Sequence, residues 1–115
     1  MKIETHHIAG KKVAEVIAEE VILRNTEDGL DLLGDLYYQG FDKIIIHERN
    51  ISADFFDLKT KLAGDILQKF VQYQMPLTIV GDFLKYGSRS LNDFIFESNK
   101  GKQVNFVNSL AEALQ

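Results

Sequence analysis

The sequence predicts a single α/β domain with a mixed sheet, its elements in the order ββαβαβαβα. Three observations predict it. Short apolar runs, Ile44-Ile45-Ile46 and Leu77 to Val80, suit strands covered on both faces, as in a parallel sheet. Between them lie segments whose apolar residues recur at helical spacing, such as Leu58, Leu62, Ile66 and Phe70. The chain also opens on two strand-like segments flanking Ala9-Gly10. Strands alternating with helices imply parallel pairs joined by right-handed crossovers, and the opening hairpin adds one antiparallel pair.

Each element has its own signal. Lys2 to Ile8 and Lys11 to Ala18 read as the hairpin strands, and the segment from Glu19 to Arg24 is open between strand and loop. Thr26 is a helix N-cap candidate, followed by Glu27, Asp28 and Asp31, where acids favour the helix dipole. Leu30, Leu33 and Tyr37 then form a helical stripe that Gly40 can end. Lys43 to His47 is a strand. The long helical pattern after it has Asp57 as its expected N-cap, and Pro76 bars its continuation. Leu77 to Val80 is the next strand, and Ser88 or Ser90 can cap a helix carrying Leu91, Phe94 and Ile95. Gln103 to Val107 is the last strand. Ser109 and Glu112 have capping-box spacing and open a terminal helix.

The bulk composition bounds function more than fold. A chain of 115 residues, 45% hydrophobic and 26% charged, is long enough to bury one core without disulfides or metals. It has no cysteine, which removes disulfides, thiolate metal sites and cysteine nucleophiles and fits a cytoplasmic setting. The first residues form no signal peptide, and no apolar run approaches the ~20 residues that span a bilayer. A net charge of −4 argues against binding nucleic acid or an anionic membrane, both of which need displaced counterions.

From Ile51 onward three strings stand in one order: ISADFFDLKTKLAGDILQKF, PLTIVGDF and SLNDFIFESNKGKQVNFVNSLAEAL. They resemble a family of small bacterial proteins known as domain-of-unknown-function family 4180. More distantly, the same half looks like the SpoIIAA-like group, the STAS domains of sulfate transporters and anti-sigma-factor antagonists. That resemblance implies a regulatory, non-enzymatic role. Many of those domains carry a phosphorylatable serine at the start of the helix after the central strand. Here the stretch is Phe56-Asp57-Leu58-Lys59-Thr60, so Thr60 is the nearest hydroxyl.

In open α/β sheets, sites form at the carboxyl ends of the parallel strands. Three segments should meet there: His47 to Thr60, Gly81 to Ser90, and Asn108-Ser109. Lys59, Thr60 and Lys61 stand where a helix should begin, and lysines there oppose the helix dipole. With Asp82, Lys85 and Arg89 they could hold a small anion or a protein partner; paired with Asp54 and Asp57 they would be an ordinary solvated surface. Asp82 could equally close its own turn. His47, Glu48 and Asp82 form an alternative, enzymatic set, with His47 as general base. Phe55 or Tyr38, if exposed, would anchor a protein partner or a second copy in a homodimer. His6 and His7 are adjacent and point to opposite faces of a strand, so no metal site is expected there. Gly81 and Gly87 lack the spacing of a phosphate loop, no familiar catalytic string is present, and no cofactor is called for.

Overall fold

The computed structural model describes residues 1–115 and opens on the expected hairpin. Strands β1 (Lys2–Ile8) and β2 (Lys11–Ile17) pair antiparallel, with Ile8 opposite Lys11. Ala9 and Gly10 both take positive φ, 50° and 80°, the sign that a tight primed turn requires at both central positions. The remaining elements are α1 (Thr26–Tyr38), β3 (Lys43–His47), α2 (Leu62–Gln72), β4 (Leu77–Val80), α3 (Arg89–Ser98), β5 (Val104–Val107) and α4 (Leu110–Ala113). The predicted order is therefore the observed one.

The five strands lie side by side in chain order, β1-β2-β3-β4-β5, with every pair after the hairpin parallel. A sheet that advances in one direction through right-handed crossovers places every crossover helix on the same face. The burial follows. Ala14, Val16, Ile44, Ile46, Leu77, Ile79, Val104 and Phe106 face a large core shared with Leu32, Leu33 and Leu36 of α1, Ile66 and Phe70 of α2 and Leu91 of α3. The opposite face has a small cluster of Val13, Ile45 and Val80 under Ala113 of α4. One face is thus fully roofed, and the other is roofed only where the short α4 reaches.

Several local expectations are corrected. The N-cap of α1 is Asn25, whose side chain accepts from the Asp28 amide, not Thr26. The inward stripe of α1 is Gly29, Leu32, Leu33 and Leu36, so Tyr37 faces out and is 68% exposed. Asp57 caps a short 3-10 turn, Leu58–Thr60, and not α2 itself. Helix α2 begins at Leu62, after Lys61 turns the chain with φ 65°. The segment 19–24 is a loop tied down by Asn50, a fully buried residue whose amide donates to the carbonyls of Ala18 and Glu20 at 2.8 and 2.9 Å. Leu23, also fully buried, bridges to Ile51 beyond it.

Candidate functional site

The strand-end segments do meet: Asn108 shares a groove with Phe83 and Leu84, and a carboxylate ties the first two segments together. Glu48 follows β3 directly, and its buried carboxylate reaches across to the loop after β4. It accepts from the Asp82 backbone N–H at 3.2 Å and from the Tyr86 hydroxyl, and Lys85 Nζ lies 2.8 Å away. Burial, with the carboxylate beside it, pushes the Tyr86 phenol well above its ordinary pKa, so the hydroxyl stays a donor. The Tyr86 ring stacks on Phe56 with centroids 5.0 Å apart, and Phe56 meets Phe55 and Phe83. Gly81 is what makes room. A Cβ there would lie 2.5 Å from Glu48 Cβ and 2.6 Å from Oε1. The Gly-Asp pair after β4 is therefore a gap for a carboxylate, not part of a phosphate loop.

This latch redistributes the predicted site residues. Lys85 is paired with Glu48, and Asp82 contributes its backbone while its side chain is exposed. The Thr60 hydroxyl lies 2.6 and 2.8 Å from the carbonyls of Asp54 and Asp57 and accepts the Leu62 N–H at 3.2 Å. Lys59 and Arg89 are exposed and form no ion pair. None of the five main surface grooves is lined by Lys59, Thr60, Asp82, Lys85 or Arg89. Phe55, the expected partner anchor, is 1% exposed and belongs to the core.

The enzymatic set is not assembled either. His47 turns away from Glu48 to the less-covered face of the sheet. Its Nε2 lies 2.7 Å from Oε2 of Glu15, and His6 Nε2 lies 2.9 Å from Oε1 of the same carboxylate. Three strands thus hold one buried glutamate between two imidazoles. Burial pushes the Glu15 pKa up, but the hydrogen bonds from His47 and His6 outweigh it and hold the carboxyl below its ordinary value. Glu15 was signalled only weakly, as the one charge inside Val13-Ala14-Glu15-Val16-Ile17.

A predominantly apolar concavity lies elsewhere, between α1 and α2. A groove of about 390 Å³ is lined by Leu30, Leu33, Gly34, Tyr37 and Tyr73. Tyr73 is 55% exposed, and Tyr38 beside the groove is 91% exposed. Sequence reasoning singled out Tyr38 but missed Tyr73 and Gly34. The legible signal was Gly34 in the middle of Leu32-Leu33-Gly34-Asp35-Leu36, a helix interior that glycine weakens.

Residues 8–115 match the model of a family described as a domain of unknown function (DUF4180). No curated protein matches the chain, and no solved structure does. No helix is long and apolar enough to cross a membrane.

Proposed function

The chain belongs to the DUF4180 family, and we propose that it is a non-enzymatic module that binds a protein partner through the groove between α1 and α2. One observation carries the reading: this groove keeps Tyr37 and Tyr73 at the surface, beside the partly buried Leu30, with no intramolecular hydrogen bond to either hydroxyl. Tyrosine offers a large contact area at little conformational cost, and exposed apolar concavities of this kind mark interaction sites. The polar groups at the strand ends, by contrast, are largely engaged with one another, which weighs against a catalytic cleft there.

A photo-reactive residue at position 73, introduced into the full chain in its own cells, tests this. An adduct at position 73 that is absent from the same residue placed at Phe96, an exposed position on α3, supports the groove. Equal labelling at both positions, or none at 73, overturns it.

A second reading keeps the strand-end anion site. It is favoured by the unpaired cations Lys59, Lys61 and Arg89. A melting-temperature rise with sulfate or phosphate that Lys59→Ala abolishes would establish it, because a ligand of the folded state stabilises by mass action. A regulatory role of the STAS kind would need a modifiable hydroxyl, and Thr60 already ties Asp54, Asp57 and Leu62 together.

A further inference from the structure

Helix α1 separates two grooves of different character. On one flank is the apolar groove of Leu30, Leu33 and Tyr37. On the other is a groove of about 350 Å³ that includes Asp28, Asp31 and Asp35. The helix carries Glu27, Asp28, Asp31 and Asp35 and no lysine or arginine. Only Asp28 is neutralised, by Arg24 at 2.9 Å. Glu27, Asp31 and Asp35 repeat at i+4, where like charges repel, and Asp31 and Asp35 lie beyond the first turn, where the helix dipole no longer favours an acid.

Gly34 sits between these flanks. Its neighbour in the same helix, Gly29, is explained by the fold: a Cβ there would stand 3.3 Å from Ile66 of α2. Gly34 has no such reason. A Cβ there would meet nothing within 4 Å, and its φ is not positive. Glycine in a helix interior is destabilising relative to alanine, and a local rule broken without gain to the fold points to function. What Gly34 supplies is a bare stretch of helix backbone, a notch where another helix axis can approach closely. Gly64 is also open, but it lies in the first turn of α2 and lines neither groove.

Building on the groove reading above, we infer that α1 receives a basic amphipathic helix of a second protein. Its apolar face enters the Leu30–Tyr73 groove, its backbone crosses at Gly34, and its lysines or arginines meet Asp31 and Asp35. Charge selects this occupant over the alternatives. A two-fold dimer through α1 would set the same acids against each other on chains of net charge −4. An anionic membrane surface is repelled for the same reason.

A display library of helical peptides of ~16 residues, with randomised charge, is selected on the full chain, and the winners are mapped by amide chemical shifts. The expected winners carry positive charge along one flank and perturb Leu30 to Tyr38 and Tyr73. Asp31→Asn with Asp35→Asn should weaken them and flatten their salt dependence. Gly34→Leu should weaken them by about tenfold or more without lowering the melting temperature, because leucine is the better helix former. Winners that are neutral or acidic yet map to the groove would leave the groove reading standing and overturn the basic partner. Winners that map nowhere on α1 would overturn both. Concentration-dependent self-association that shifts the same amides would assign the face to a second copy and overturn the inference.

Discussion

The strand-end face and the outer face of α1 contrast in how they use polar and aromatic side chains. At the strand ends Glu48, Lys85, Tyr86 and the Asp82 amide converge, yet they converge on one another, and Phe56 packs against Tyr86 behind them. On α1, Tyr37, Asp31 and Asp35 have no partner inside the molecule, and Gly34 weakens its own helix. Convergence of chemical groups is therefore a poor sign of a site when the groups satisfy each other. Groups left unsatisfied, at a cost to the fold, are the better sign. The contrast predicts that substitutions at the strand ends act on stability and that substitutions of the exposed residues on the outer face of α1 do not.

Gly81→Ala should have the largest effect. The added Cβ meets Glu48 at both Cβ and Oε1, and these atoms belong to a buried side chain held by three donors, not to a free end. Overpacking and a loosened carboxylate together should lower stability by about 3 kcal/mol in a denaturant titration. A loss below about 0.5 kcal/mol would mean that Glu48 swings away freely and the latch does not hold the loop. The contrast between the two faces would then collapse.

Glu15→Gln comes next and adds a pH signature. The native carboxyl is held below its ordinary pKa, so its stabilising contribution is fully present above the unfolded value and is lost as pH falls through the folded one. The variant keeps one acceptor and loses the charge, and at neutral pH it should be about 2 kcal/mol less stable than the parent. The gap should close as pH falls below the ordinary glutamate range near ~4. A gap that is unchanged from pH 7 to pH 3 would mean that the bonds to His6 and His47 do not depend on the charge. Tyr86→Phe is milder, about 1 kcal/mol, because it deletes one hydrogen bond while Lys85 and the Asp82 amide remain on Glu48.

How much of this was legible follows from the range of the interactions. Strands β3 and β4 were readable because a β-branched or fully apolar run has few other uses. Helix α1 was readable, but its inward face was not. Leu32-Leu33-Gly34-Asp35-Leu36-Tyr37-Tyr38 offers two apolar stripes, and only packing against Ile66 and Phe70 picks the one with Gly29. The run Leu58-Leu62-Ile66 kept helical spacing across a break, because Lys61 in the left-handed region leaves no mark on the period. The latch depends on partners far apart in the chain, Glu48 with Tyr86 and Asp82, which β3–β4 pairing alone brings together. Phe55 and Tyr38 were both readable as aromatic, but which of them was buried depended on the tertiary fold.

The smallest expected effect is the most informative about the outer face. Tyr37→Ser and Tyr73→Ser remove side chains that are mostly solvated already, so each should change stability by no more than about 0.5 kcal/mol. Leu33→Ser in the same groove is the internal control: Leu33 also belongs to the main core, and its loss should cost several times more. If the tyrosine variants proved as costly as the leucine, the rings would be pinning α1 to α2, and the groove would be a seam of the fold. If they are silent, the groove keeps two aromatic rings at its surface without any return in stability. Only a partner outside the chain would then account for them.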